Sequence, residues 1–176
     1  MQQILLFGAG RSASTLISYF LERSQHEQWF LTVADNDELT VKQKLNNHVN
    51  SKAIGLDIND TIKRSELIAD ADIVISMLPA ALHILVAVDC IKLKKNLCTA
   101  SYISPELAAL ENEAINNNVL IMNECGLDPG IDHMSAMKII DELKLAGNKL
   151  MSFKSYTGGL VAPESNDNPW GYKFTW

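Results

Sequence analysis

Long apolar runs, paired cysteines and an excess of basic residues are all missing from this sequence. No stretch approaches the ~20 apolar residues of a transmembrane helix, and the start lacks the pattern of a signal peptide. The 3 cysteines, Cys90, Cys98 and Cys125, are irregularly spaced, which argues against a disulfide framework or a zinc site. The formal net charge of -6 argues against a general nucleic-acid binder. We therefore expect a cytoplasmic protein without a membrane segment, a nucleic-acid partner or a metal.

The composition allows a globular core, because 47% of the 176 residues are hydrophobic and 20% are charged. Short apolar runs alternate with segments in which apolar residues recur at helical spacing. Nearly continuous apolar strands are typical of a parallel sheet that helices cover on both faces. The pattern therefore predicts an α/β fold with a doubly wound parallel sheet. The predicted strands are Ile4–Phe7, Phe30–Ala34, Ala53–Leu56, Ile73–Leu78, Leu97–Ala100 and Val119–Met122. The predicted helices are Ser12–Glu22, Glu38–Leu45, Ile62–Ala69, Leu82–Leu93, Pro105–Ile115 and Gly130–Leu145.

The pattern changes near residue 150. Met151–Tyr156 has the composition of a strand, and residues 157–176 are rich in Gly, Pro, Asn and aromatic residues. Aromatic side chains at alternate positions require a partner surface. We interpret residues 1–150 as one domain and residues 151–176 as the start of a second, α+β domain that is cut short. The alternative is a natural tail that folds back on the sheet.

A glycine-rich turn follows the first predicted strand. Residues 8–13 read G-x-G-x-x-A, one form of the dinucleotide-binding fingerprint. Gly8 would permit the tight turn and Gly10 a close approach of a pyrophosphate, which the amides of Arg11 and Ser12 would face. Ala13 would let the helix pack closely on the strand. This context predicts a Rossmann NAD(P)-binding domain; the alternative is an ordinary glycine turn in another α/β protein.

Other predicted cofactor contacts follow the second, third and fourth strands. Asp35 ends the second strand, where an acidic residue can bind the ribose hydroxyls of adenosine. A carboxylate there would repel a 2′-phosphate, so the sequence favours NAD over NADP. Asp57 and Ile58 would lie near the adenine, and Leu78 and Pro79 would lie where the cofactor runs toward its reactive ring. Helix capping by Asp35 and simple loop roles for the other four residues are the alternatives.

Candidate substrate contacts follow the fifth and sixth strands. The hydroxyls of Ser101 and Tyr102 and the carboxylate of Asp128 could hold a charged amino acid, because ligands collect beyond the carboxyl ends of parallel strands. Ser101 as a turn former and Asp128 as a helix N-cap are equally weighted alternatives. We expect His133 to be a packing or surface residue, and the scattered His26, His48 and His83 indicate no metal site.

Three stretches resemble the saccharopine dehydrogenase family, in particular its glutamate-forming branch. They read ASYISP at 100–105, NECGLDPGIDH at 123–133 and GGLVAPESNDNPWGYKFTW at 158–176. The resemblance implies that Ser101, Tyr102 and Asp128 contact substrate, with Asp128 in the catalytic role, and that Leu127 lies against the cofactor. It also implies a homodimer at full length and further chain beyond residue 176, so this piece alone should be inactive.

The resemblance implies oxidation of the glutamyl C–N bond of saccharopine by NAD(P)⁺, with hydride leaving the glutamyl α-carbon. Water would then hydrolyse the imine to glutamate and 2-aminoadipate 6-semialdehyde, or the reverse reaction would run in lysine synthesis. The sequence shows no clear general base. Two alternatives remain: a related imine or amine dehydrogenase of the carboxynorspermidine type, and a non-catalytic domain that senses NAD(P).

Overall fold

The structure is a computed structural model, and it describes residues 1–155. These residues form a single parallel sheet with flanking helices. Its six strands stand in the order β3-β2-β1-β4-β5-β6, and every neighbouring pair is parallel. This order reverses between β1 and β4, as in the doubly wound Rossmann sheet. The predicted fold class is therefore confirmed. The strands are β1 Gln2–Phe7, β2 Trp29–Asp35, β3 Ser51–Gly55, β4 Ile73–Ser76, β5 Asn96–Thr99 and β6 Ile121–Met122.

Seven α-helices occur in the described part of the chain. They are α1 Ser14–Glu27, α2 Glu38–Leu45, α3 Thr61–Ala69, α4 His83–Leu93, α5 Pro105–Ala108, α6 Glu111–Asn116 and α7 Ile131–Leu145. Single 3-10 turns at Arg11–Ala13 and Ala80–Leu82 precede α1 and α4. No helix within residues 1–155 is both long and apolar enough to cross a bilayer.

Two apolar cores form because alternate residues of the buried strands point to opposite faces of the sheet. Leu5 and Phe7 of β1 belong to the cluster that contains Val86 of α4. Ile4 and Leu6 of the same strand belong to the other cluster, which contains Ile17 of α1. Strand β1 is therefore covered on both sides, which explains its continuous apolar sequence.

Most predicted bounds differ from the structure by one or two residues, and α1 continues to Glu27 instead of ending at Glu22. Other differences concern α5, β4 and the segment after α7. The helix predicted over Pro105–Ile115 is interrupted between α5 and α6, although Ser104 caps its start by accepting a hydrogen bond from the amide of Leu107. The fourth strand ends at Ser76 rather than Leu78. Met151–Ser155 is not a strand, and the rest of that prediction, together with the aromatic cluster, lies outside the described residues.

The chain divides into two compact units, Met1–Ser135 and Ala136–Trp176. All side chains of the site described below belong to the first unit. The boundary predicted at residue 150 stays a prediction.

Candidate cofactor and substrate site

The predicted site residues of the first unit follow the carboxyl ends of the strands, which meet at one edge because all six strands are parallel. The glycine turn follows β1, Asp35 ends β2, and residues 57–58 follow β3. Leu78 and Pro79 follow β4, and Ser101 and Tyr102 follow β5. The loop 123–130 follows β6. The topology thus brings segments that are distant in sequence to the same edge.

Gly8 can only be a glycine. Its φ is +95°, and a Cβ there would lie 2.7 Å from the carbonyl oxygen of Met77 at the end of β4. A side chain would therefore clash with backbone that cannot yield, in a conformation that L-residues rarely adopt. The tight turn expected at Gly8 is present.

Gly10 faces open space. A Cβ at this position would meet no atom of residues 1–155 within 4 Å, and Gly10 is exposed at the start of the 3-10 turn. In this described part of the chain, no side chain caps the turn or α1. Within residues 1–155, the amides of Gly10, Arg11 and Ser12 have no hydrogen-bond acceptor. Three adjacent N–H groups at the positive end of a helix form a site suited to a phosphate.

The carbonyl side of the same turn is held by a lysine that sequence reasoning missed. Nζ of Lys44, on α2, donates to the carbonyl oxygens of Ala9 (2.6 Å) and Gly10 (2.7 Å) and to Oγ of Ser14 (2.8 Å). The ammonium group thus fixes the turn from behind and adds a positive charge beside the free amides. No local pattern signals this contact, because Lys44 lies on α2 and is separated from the turn by α1 and β2 in the sequence.

Asp35 is also engaged with the turn. Its Oδ2 accepts a hydrogen bond of 2.7 Å from the amide of Ala9, and its Oδ1 accepts one of 3.0 Å from the amide of Asp37. The N-cap of α2 is Asp37, whose side chain accepts from the amide of Thr40. Asp35 therefore does not cap this helix, and its carboxylate stabilises the glycine turn.

The loop after β3 packs against the hydrophobic core and a buried arginine. Ile58 is half-buried against the core, and its carbonyl oxygen accepts a hydrogen bond from the guanidinium of Arg64. Arg64 is itself buried, with Nε 2.8 Å from Oδ2 of Asp89 on α4. Asp57 is exposed, and its Oδ1 accepts from the amide of Asn59. After β4, Leu78 is half-buried and Pro79 is exposed.

On the other side of the switch point, Tyr102 donates a hydrogen bond of 2.6 Å to Oδ1 of Asp128. Helix α7 begins at Ile131, so Asp128 is not its N-cap. This hydrogen bond to a carboxylate is the main reason that the pKa of Tyr102 rises to about 12. The phenol therefore stays protonated near neutral pH and acts as a donor, while Asp128 provides negative charge.

More carboxylates surround this pair. Asp132 and Glu124 contribute to the raised pKa of Tyr102 through their charge. One ligand atom each of Asp128, Asp132 and His133 lie within 4.8 Å of one another. Oδ1 of Asp132 already accepts from the amide of Gly130 and lies 2.8 Å from Nδ1 of His133. The arrangement suits a cationic group of a ligand. Leu127, in the same loop, is 73% exposed and free to meet a partner surface.

Ser101 has an unexpected partner. Its Oγ lies 2.8 Å from Nε2 of His83, a histidine that the sequence did not connect with any other residue. His83 is 1% exposed at the start of α4. The sequence signal for such a contact was a polar residue, His83, at the first position of the apolar helix α4. Its partners Ser76 and Ser101 could not be predicted, because they belong to or follow other strands.

Comparison with known proteins now identifies the family. The description "Saccharopine dehydrogenase NADP binding domain" matches residues 4–122, and "Saccharopine dehydrogenase C-terminal domain" matches residues 126–176. The chain belongs to the saccharopine dehydrogenase family.

Relatives in this family are longer. The chain is 43% identical to the saccharopine dehydrogenase [NADP(+), L-glutamate-forming] of Schizosaccharomyces pombe, over 100% of this chain and 38% of that protein. It is 40% identical to the mitochondrial alpha-aminoadipic semialdehyde synthase of Bos taurus, over 99% of this chain and 19% of that protein. The solved apo saccharopine dehydrogenase (L-Glu forming) of Saccharomyces cerevisiae superposes with a TM-score of 0.84 and 40% identity, over 100% of this chain and 39% of that one. An NAD binding oxidoreductase from Klebsiella pneumoniae, at 17% identity and a TM-score of 0.61, covers 83% of this chain and 39% of its own and shares the fold.

The prediction that NAD is favoured over NADP is wrong. The matching family description is an NADP binding domain, and the glutamate-forming relatives of both yeasts are named for NADP(+). The prediction assumed that the Asp35 carboxylate faces a 2′-phosphate freely. In the structure both its oxygens accept backbone N–H groups, and the Lys44 ammonium lies against the same turn. A positive charge that the sequence did not reveal therefore lies at this turn, and both oxygens of Asp35 are already engaged.

Proposed function

We propose that this chain is the nucleotide-binding part of a saccharopine dehydrogenase that uses NADP⁺ and forms glutamate. The observation that carries the proposal is the uncapped turn with the free amides of Gly10, Arg11 and Ser12, together with the Tyr102–Asp128 pair beyond the same carboxyl ends of the strands. The chain spans 38% of the length of the fungal relatives, so the whole activity belongs to the full-length protein.

The cofactor side rests on the first turn. The three free amides would bind the pyrophosphate, and Gly8, Ala13, Asp35 and Lys44 would hold the turn in shape. The Ile58 and Asp57 loop would lie under the adenosine, and Leu78, Pro79 and Leu127 would border the path to the nicotinamide. When bound, NADP⁺ would accept the hydride.

The substrate side rests on residues that follow β5 and β6. Saccharopine carries carboxylates and amino groups. Ser101 offers a hydroxyl for one of its carboxylates. Tyr102 donates its only hydrogen to Asp128, so its phenolic oxygen can accept from an amine of the substrate, and Asp128 offers a carboxylate for the amines. Because Tyr102 remains protonated, it cannot act as a base near neutral pH, and Asp128 is the residue proposed to assist proton transfer at the secondary amine.

The name of the relatives corrects one chemical detail. Oxidation at the glutamyl α-carbon would give 2-oxoglutarate, whereas these relatives form L-glutamate. The hydride must therefore leave the terminal side-chain carbon of the lysine-derived unit. Water then adds to the imine carbon, and the C–N bond breaks to give 2-aminoadipate 6-semialdehyde and glutamate. The protein orients the two reacting carbons and excludes competing water.

The test uses the full-length protein, saccharopine and either NADP⁺ or NAD⁺, followed by absorbance of the reduced cofactor. We expect turnover with NADP⁺ and formation of glutamate. An Asp128→Asn variant should leave NADPH affinity unchanged and lower kcat by about 100-fold or more, since acid–base assistance contributes 10²–10⁴-fold. Asp70→Asn, an exposed residue after α3 at the opposite sheet edge, is the matched control. Turnover that survives Asp128→Asn intact would exclude the assigned role.

A further inference from the structure

One buried imidazole has no part in the contacts proposed above. His83 begins α4, with Nδ1 2.8 Å from Oγ of Ser76 and Nε2 2.8 Å from Oγ of Ser101. Ser76 is the last residue of β4 and is fully buried, while Ser101 follows β5 and is half-buried. The ring therefore connects the switch point of the sheet to the candidate substrate side.

The ring is held in its neutral form. Burial lowers the pKa of His83, and its hydrogen-bonding neighbours are hydroxyl groups. A neutral imidazole has one N–H donor and one acceptor nitrogen. The hydroxyls of Ser76 and Ser101 are thus coupled, because one of them must donate to the ring while the other accepts from it.

The tautomer decides what Ser101 offers to a ligand. If Nε2 carries the proton, Ser101 accepts from the ring and its own hydrogen is free to donate outward. If Nδ1 carries the proton, Ser101 donates to the ring and presents only lone pairs. Thr99 does not decide between them, because its Oγ1 lies 3.0 Å from Nε2 and 3.4 Å from Nδ1 and also accepts from the amide of Ser101.

We propose that His83 is a positioning residue that, as the Nε2–H tautomer, makes the Ser101 hydroxyl a donor to a carboxylate of the amino-acid substrate. This inference rests on the proposed function, in which the substrate is an amino acid with several carboxylates. The Ser101 hydroxyl lies on the substrate side of the site, since the carbonyl of Ser101 accepts from the amide of Glu124 and the next residue, Tyr102, binds Asp128. In this tautomer Ser76 donates to Nδ1, 2.8 Å away.

Two variants of the full-length enzyme distinguish the contact of Nδ1 with Ser76 from the contact of Nε2 with Ser101. An Asn side chain at position 83 reaches the position of Nδ1 and keeps only the Ser76 contact. A Gln side chain reaches the position of Nε2 and can still donate to Ser101. We expect His83→Asn to raise KM for saccharopine roughly tenfold, the scale of a lost hydrogen bond to a charged group. KM for NADP⁺ should stay within about twofold, and His83→Gln should restore most of the saccharopine KM.

A double variant tests whether His83 acts through Ser101. Ser101→Ala alone should raise KM for saccharopine by a similar factor, and His83→Asn should add little in the Ser101→Ala background. If His83 is purely structural, the effects of His83→Asn and Ser101→Ala on KM for saccharopine should multiply in the double variant, or the loss should be confined to kcat. Either result overturns the proposal. If His83→Asn does not fold, Ser76→Ala takes its place, because in the proposed tautomer it removes the hydroxyl that donates to Nδ1. An unchanged saccharopine KM in that variant also overturns the proposal.

A direct measurement keeps this inference separate from the proposed function. Ring ¹⁵N shifts of the ¹⁵N-histidine-labelled full-length protein, assigned by the signal missing in His83→Gln, report which nitrogen carries the proton. We expect a neutral Nε2–H ring. A protonated Nδ1 or a cationic ring at neutral pH overturns the inference, whereas absence of saccharopine oxidation by the wild type overturns the proposed function.

Discussion

The carboxylate of Asp35, at the end of β2, accepts a 2.7 Å hydrogen bond from the backbone amide of Ala9, in the middle of the glycine turn. Ala9 is buried, so its amide has little access to water as an alternative acceptor. Asp35 thus stabilises the conformation in which the next three amides face outward. This contact is a structural role for an acidic residue at a position usually assigned to ribose binding.

Removal of this carboxylate should weaken the cofactor site. Asp35→Ala leaves the buried Ala9 amide without its acceptor, and we expect the affinity for NADPH to fall about tenfold or more, since an unsatisfied buried amide costs about 1–3 kcal/mol. Fluorescence titration of NADPH measures the change. Asp35→Asn keeps an acceptor oxygen and is the matched control. Equal NADPH affinities for the wild type and Asp35→Ala would show that Asp35 does not stabilise the glycine turn.

Lys44→Met should have a similar effect through the other side of the turn. The variant removes three hydrogen bonds to the turn and a positive charge near the proposed phosphates. We expect NADPH binding to weaken roughly tenfold and to lose part of its salt dependence. Lys42→Met is the control, because this lysine lies on the same helix and pairs with Glu38 at the surface. The idea fails if both variants bind NADPH equally well.

The buried ion pair between Arg64 and Asp89 should dominate the stability of the α3–α4 contact. Their side chains are 5% and 6% exposed, so Arg64→Met leaves an uncompensated buried carboxylate. We expect a loss of about 3–5 kcal/mol in the free energy of unfolding, measured by urea denaturation. Arg64→Met with Asp89→Leu should recover most of it. A double variant as unstable as the single one contradicts this account.

Tyrosine titration should report the Tyr102–Asp128 pair. The carboxylate favours the neutral phenol and raises the pKa of Tyr102 to about 12. In Asp128→Asn the acceptor charge is gone, so we expect one additional tyrosine to ionise near pH 10 in the ultraviolet difference spectrum. Tyr102→Phe should remove this signal from the Asp128→Asn background. An identical titration in wild type and Asp128→Asn would show that the pair does not form.

His83 should make the protein less stable in mild acid. Burial lowers its folded-state pKa below the ordinary value of 6.5. Below pH 6.5 the unfolded chain therefore binds a proton that the folded protein does not. As the pH is lowered from 6.5 toward the folded-state pKa, the free energy of unfolding decreases. His83→Gln should flatten this part of the profile. Urea denaturation between pH 5 and 8 tests it, and parallel profiles for the two proteins would count against a neutral buried ring.

Much of the fold could be predicted from local patterns. The end of β1 at Phe7 and both bounds of α2 were predicted correctly, because they depend on neighbours within a few residues, and so does the glycine turn. The break between α5 and α6 and the early end of β4 were missed, because the apolar pattern continues through both positions. The proposed site residues follow the carboxyl ends of the strands, as the sequence pattern predicted, but the pattern did not reveal the partners of their side chains.

The sequence by itself determined that this chain is a dinucleotide-binding βα repeat of the saccharopine dehydrogenase family, since a glycine turn before a helix and a long family motif are both local in sequence. Only the tertiary structure decided that Asp35 binds the Ala9 amide, that Lys44 holds the same turn, and that His83 connects Ser76 to Ser101. These contacts join residues on different strands and helices. Parallel strands bring such residues together only after their crossovers have packed, so no local pattern contains them.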